Sequence, residues 1–422
     1  MSTYRRVLNE ISANSKRFIS GKRRKYPINS EDAEKLPVFQ YTVSKKEYRR
    51  VFAWGNLQTG ALGIPALKRN ESIDKLYYLQ SPKRIGFGEK FEVRTACCGF
   101  GFSVFAVNSN TNDKIYGCGI NTDSQIGYHE VRQHKPLGLI FYPQPIPLPF
   151  LSPEKSRVLK ITAGRAHLVV LTDEGIFTLG NNAYGQCGRS IIPDEDYSRS
   201  NYINRIETID GKKIVDIECG QDHSMAVTED GCVYSCGWGA DGQTGLGHFR
   251  NTPEFTRVKG DIESEKIVRL SCRSDFVLAL NNKGEPDNFA GSCSTVAHSE
   301  THKNATPIGK IKSIASGGSF CVVVLVLKLN NRRRPILIPE TLFGRNDFQP
   351  NNIVRKVTCG LNYAAAVTSL GDLFIWGRNK GACLGLGTEK DQYFPLKVAM
   401  GGHVQDVFCG IDHTIAICKP FI

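Results

Sequence analysis

Several hallmarks of common enzyme and membrane classes are missing from these 422 residues. No apolar run approaches the ~20 residues that a membrane-spanning helix needs. No G-x-x-x-x-G-K-[ST] loop occurs, so the chain is not itself a P-loop nucleotide hydrolase. There is no paired C-x-x-C set for zinc; Cys232 and Cys236 are separated by three residues on a strand-like run. No Ser-His-Asp or paired-carboxylate constellation stands out, which leaves hydrolase chemistry without support. The reading is therefore of a protein that is not an enzyme and takes no cofactor or metal. Aromatic residues are sparse, 9% against 41% apolar overall, a balance that suits a soluble globular protein.

What is present is repetition. The stretch Val215 to His248 runs from a short apolar segment into Cys219-Gly220, then through His223 and a second apolar run, Met225 to Thr228. A turn at Glu229-Asp230-Gly231 and the strand-like Cys232 to Ser235 follow. A glycine frame completes it: Gly237, Gly242 and Gly245. Short β-branched runs punctuated by Asp-Gly suit a small antiparallel sheet, which cannot bury its faces alone. Equivalents of Cys219-Gly220 occur at Cys98-Gly99, Ala163-Gly164, Cys272-Arg273, Ser316-Gly317, Cys359-Gly360 and Cys409-Gly410, spaced by 43 to 65 residues. Frames start at Gly55, Gly119, Gly180, Gly237 and Gly377, and five residues on stand Gly60, Ser124, Gly185, Gly242 and Ala382, always small. Short strands repeating near fifty residues indicate a β-propeller or array.

The register suggests how such a ring would close. After Gly410 too few residues remain for a frame, while Val51 to Gly55 is a frame with no first half before it. Joining the two gives seven blades, the last completed by the N-terminal strands, with no free edge between the ends. The repeats at Cys272 and Ser316, fifth and sixth when counted from Val51, are degenerate. The first has Ala290-Gly291 with Ser299 eight on from Gly291; the second has no frame at all. Either that blade is truncated or the sequence lacks a segment there.

The pattern from Cys219 to Gly245, carried in phase by several repeats, resembles the repeat of the regulator of chromosome condensation family. The resemblance covers about Val51 to the C-terminus. It implies a seven-bladed all-β propeller and guanine-nucleotide exchange. For the mitochondrial branch of the family it also implies rRNA binding and ribosome assembly. The partners so implied are mitochondrial rRNA and ribosome-assembly proteins, with a mitochondrial GTPase of the inner-membrane fusion dynamin type as the alternative. Any contact with the inner membrane would be peripheral.

Residues 1–50 stand apart from the propeller at 51–422. They hold 13 Lys/Arg and 5 Asp/Glu, so +8 of the formal +13 lies there. Tyr4, Val7, Leu8, Ile11, Phe18 and Ile19 fall at helical spacing among Arg5, Arg6, Lys16 and Arg17. An amphipathic, acid-poor start of this kind reads as a mitochondrial transit segment directing the protein to the matrix. The rival is Lys22 to Lys25 as a nuclear signal or nucleic-acid arm.

Two groups of candidate site residues emerge. His167, His223 and His413 each lie three residues after a repeat glycine, where other repeats carry Phe102, Phe276, Phe320 and Tyr363. Exchange with aromatics marks them, with Gly99, Gly164, Gly220, Gly360 and Gly410, as structural. Gly237 to Gly242 matches G-x-G-x-x-G, but no helix pattern follows and the glycines belong to the frame. The second group is basic: Arg165, Arg189, Arg199 and Arg205 near Tyr184, Tyr197 and Tyr202, and Arg332, Arg333 and Arg334 beside Lys328. Such clusters with nearby aromatics are what RNA phosphates and bases need.

Overall fold

The computed structural model describes residues 49–64, 77–132, 135–283, 286–290, 309–327 and 338–421. Its strands assemble into small antiparallel sheets laid down one after another along the chain. The Ile214 sheet shows the pattern, with strands Ile214–Cys219, His223–Thr228, Val233–Gly237 and Thr252–Arg257 in that order. The second and third strands are buried throughout and read as unbroken apolar or small-residue runs. The outer strand alternates half-buried and exposed residues. A strand covered on both faces has no polar side to display, which is why these runs stand out in the sequence.

Sheets of the same four-stranded kind start at Val93–Cys98, Val158–Ala163 and Val354–Cys359. The His403 sheet is built from both ends of the chain. Strand Arg50–Asn56 pairs antiparallel with His413–Lys419, with Val51 opposite Ile417 and Gly55 opposite His413. The indole N–H of Trp54, fully buried, donates to the Cys383 carbonyl at 2.8 Å and ties this strand to the Val354 sheet. The expected pairing of Val51 to Gly55 with the C-terminal strands is thus present.

Among the described residues the Ile267 sheet has three strands and the Gly309 sheet two. These are the repeats whose frames fail in the sequence. First strands of successive sheets pack side by side, from Val93 through Val158, Ile214, Ile267, Gly309 and Val354 to His403, and the His403 strand also contacts the Val93 strand.

The small residues five places after each frame glycine have a common backbone. Gly60, Ser124, Gly185, Gly242 and Ala382 all have φ between +52° and +87°. Left-handed backbone penalises bulky and β-branched side chains, so glycine, serine or alanine stands there.

Three polar or proline-rich segments without a strand signature in the sequence contain outer strands. Tyr78–Arg84 lies within the Ala66 to Arg84 linker, Leu139–Pro145 within the proline-rich excursion, and Asn204–Ile206 at the end of the Arg189 to Arg205 loop. Edge strands pair on one side only, so they tolerate charge and proline and lose the apolar signature.

Candidate functional site

The repeat histidines sit where one sheet meets the next. His167 Nε2 lies 3.0 Å from Ser224 Oγ of the following sheet, and His413 Nε2 lies 2.9 Å from Ser103 Oγ of the Val93 sheet. His223 Nε2 meets the Cys272 thiol at 3.3 Å. Tyr363, in the same repeat position, makes the corresponding link by its hydroxyl to Thr414 at 2.8 Å. Each ring folds back over the glycine three residues before it. A Cβ on Gly220 would stand 2.0 Å from His223 Cε1, and one on Gly164 2.2 Å from His167 Cε1. The glycines are the floor that lets these rings reach the neighbouring sheet.

Burial decides the charge of two of these rings. His223 is held down at about 4 by burial, and His167 at about 3 by burial and the adjacent His223 and Arg165. Both are neutral at physiological pH. His413 goes the other way: burial lowers it, but the Cys98 sulfur and the Asp412 carboxylate, 3.3 Å from Nδ1, outweigh that and raise it to about 10. His167, His223 and His413 each bond a side chain of the adjacent sheet.

A cavity of about 370 Å³ runs between the first strands of all these sheets. Its wall carries both signs of charge. Lys160 bridges Asp216 at 2.6 Å and Glu218 at 2.8 Å, Lys356 pairs with Asp406, and Arg269 is exposed toward the lumen. Burial pushes the Glu218 carboxyl up against the pull of Lys160. Cross-links between sheets line the same wall: Cys219 N–H donates to Thr162 Oγ1, Leu270 N–H to Asp216, and Ser316 N–H to Ser271 Oγ. The described cysteines are free thiols, most of them buried.

The candidate phosphate-binding arginines are committed to different degrees. Arg189, its side chain 12% exposed, pairs with Glu195 and lies 5.0 Å over the Tyr202 ring. Arg205 donates to the Glu174 carbonyl at 3.3 Å and faces its carboxylate at 3.8 Å, with 25% of the side chain exposed. Arg189 braces the segment it belongs to, and Arg205, on strand Asn204–Ile206, fastens that strand to the turn at Glu174, so both are engaged within the fold. Arg165 makes a two-point contact with Asp222 but remains 45% exposed, and Arg199 reaches only Asp196 at 3.6 Å with 61% exposed. Tyr184 packs edge-on against Trp238 at 4.6 Å. Arg332, Arg333 and Arg334, with Lys328, lie outside the described residues, as does the segment before residue 49. The glycines of the G-x-G-x-x-G match serve the frame turn; Gly237 and Gly242 have positive φ, and no helix follows.

In the sequence Arg273 shows only as a repeat position without glycine. Its guanidinium reaches carbonyls of three other sheets. The signal was available: Arg273 fills a position that is glycine in every other repeat.

Comparison with known proteins bears on the whole chain. The family model described as the regulator of chromosome condensation (RCC1) repeat matches residues 173–227, 230–280 and 371–417. The chain is 38% identical over 446 residues to the mouse RCC1-like G exchanging factor-like protein, covering 96% of this chain and 95% of that one. The human protein of the same name is also 38% identical, with 92% and 90% covered. The crystal structure of human WBSCR16 superposes with a TM-score of 0.78 at 37% identity, covering 89% of this chain and all of that one. Prp20p of Saccharomyces cerevisiae gives 0.51 at 16% identity over 94% and 96% of the two chains, a likeness of fold alone.

Proposed function

Because the chain belongs to the regulator of chromosome condensation (RCC1) repeat family, we propose that it is a non-catalytic propeller that acts by binding, as a guanine-nucleotide exchange factor for a GTPase. The observation that carries this reading is the 38% identity, over nearly the full length of both chains, to the mouse RCC1-like G exchanging factor-like protein. In the same reading the propeller has seven blades and closes on itself. The pairing of Arg50–Asn56 with His413–Lys419 and the contact of the His403 and Val93 strands support that closure. Exchange of this kind needs no covalent chemistry: a rigid surface docks on the GTPase and displaces nucleotide and Mg²⁺. The propeller starts near residue 50, and residues 1–50 carry the protein into mitochondria, where the GTPase is of the inner-membrane fusion dynamin type.

Charge favours a second reading, binding of mitochondrial rRNA in ribosome assembly. The basic first fifty residues and the exposed Arg199 and Arg165 are its phosphate donors. One assay separates the two. The purified protein, in catalytic amounts and without RNA, should speed release of labelled GDP from a purified mitochondrial GTPase. If release is unchanged while the protein crosslinks to rRNA in mitochondria, the exchange reading is abandoned for the second.

A further inference from the structure

The first strand of nearly every sheet is followed by a glycine roofed by the ring three residues on: Gly99, Gly164, Gly220, Gly317, Gly360 and Gly410. In the Ile267 sheet that position is Arg273, whose Cβ could not coexist with such a ring. The local difference is Ser274, held at φ +53° in the tight turn between Arg273 and its strand partner Phe276. The position that must elsewhere be bare can therefore carry a long cationic side chain.

That side chain spans the cavity. One guanidinium nitrogen of Arg273, Nη1, donates to the Cys98 carbonyl at 3.3 Å. The other, Nη2, donates to the carbonyls of Cys359, at 3.4 Å, and Cys409. The acceptors are equivalent residues, the last before the repeat glycine, on the Val93, Val354 and His403 sheets. Residues 175, 86 and 136 positions away in sequence are thus gathered on one group. A guanidinium presents several N–H donors in a fixed plane, which suits several carbonyls at once; an ammonium is a single point.

We propose that Arg273 is a cross-cavity strut that fastens the short Ile267 sheet to the Val93, Val354 and His403 sheets. Regular sheets are held to their neighbours by His167, His413 and Tyr363. The regular Val93 sheet and the short Ile267 and Gly309 sheets carry Phe102, Phe276 and Phe320 there instead, and phenylalanine has no hydrogen-bonding group. The strut adds a tie across the cavity to those the Ile267 sheet makes along the ring, from His223 to Cys272 on one side and from Ser316 to Ser271 on the other.

The test is hydrogen exchange on the full-length protein, wild type against Arg273→Gly, which restores the glycine of the repeat, and against Arg273→Lys. The strut predicts roughly tenfold or faster exchange at 93–98, 267–273, 354–359 and 403–409 in Arg273→Gly, the scale of a lost charge-assisted hydrogen bond. Exchange at 158–163 and 214–219, which accept no hydrogen bond from Arg273, should be unchanged. Arg273→Lys should show the same regional pattern, weaker, and serves alone if the glycine variant does not fold. Wild-type protection in the four strands of either variant, or a uniform rise over all sheets, would overturn the proposal.

Discussion

The Ile214 sheet and the Gly309 sheet descend from the same repeat and are held together differently. In the first, a glycine lets His223 fold back and meet the next sheet, and two wholly buried strands form the middle. In the second, Phe320 lies over Gly317 and is only half buried, and cohesion along the cavity wall comes from Ser316 bonding to Ser271. A histidine tie between well-buried strands joins the Ile214 sheet to the next; a serine pair and a half-buried phenylalanine serve the short one. Stability is therefore expected to be uneven around the molecule, lowest where the repeat has decayed.

The largest effect that sharpens this contrast is at Trp54, an aromatic in the regular part. Trp54→Ala removes a fully buried ring and leaves the Cys383 carbonyl without its indole donor. It should cost about 3–5 kcal/mol in urea unfolding and speed hydrogen exchange at 403–419, at the far end of the chain. Phe320→Ala, at an aromatic of the short sheet, should cost only about 1–2 kcal/mol because less area is lost. Equal costs would erase the distinction between the two regions.

How much of this was legible depended on how tightly each residue type is constrained. Frame glycines and the small residues at Ser124 and Ala382 announced themselves because positive φ admits few alternatives. The second strands showed as apolar runs because both faces are covered, and the join of Val51 to the C-terminus followed from a half-repeat without a partner. Outer strands such as Tyr78–Arg84 were missed because one-sided pairing in solvent imposes no pattern. The state of Arg189 was hidden for another reason: a basic loop residue looks the same whether it meets solvent or Glu195. Arg273 was visible as an anomaly, but its three acceptors come together only in the folded sheets.

The three tie-forming histidines all lie on regular sheets, so acid should find those sheets first. An unfolded histidine takes up a proton near 6.5, whereas folded His167 and His223 do so only at about 3 and about 4. Between these values the unfolded state binds more protons, so stability falls as pH drops below about 6.5. The pair should account for about 2–3 kcal/mol lost by pH 5.5. His413 has the opposite sign: its folded value is raised to about 10, so its contribution is complete below about 6.5 and is lost as pH rises toward 10. Denaturant melts across pH should show both limbs. Asp412→Asn should flatten the alkaline limb and leave the acid limb in place. An acid limb seen first in exchange at 309–316 would contradict the assignment to His167 and His223.

The smallest effects separate two arginines on one loop, and with them the regular scaffold from its accessible surface. Arg189→Ala leaves the Glu195 carboxylate, 15% exposed, without its cation and takes the guanidinium off Tyr202. A charged group left unpaired at that depth costs about 1–3 kcal/mol. Arg199 sits opposite an Asp196 that is itself 59% exposed, and such a surface pair contributes at most about 0.5 kcal/mol. Urea midpoints should therefore move for Arg189→Ala and stay put for Arg199→Ala. RNA binding, where present, should reverse the order. Arg199 is free to contact a phosphate, so its loss should flatten the log–log salt slope by about 0.7 per contact on a single strand, while Arg189→Ala should leave the slope alone in protein that remains folded. If both substitutions change the slope equally, the Glu195 pair opens in solution, and the loop belongs with the accessible surface instead of the scaffold.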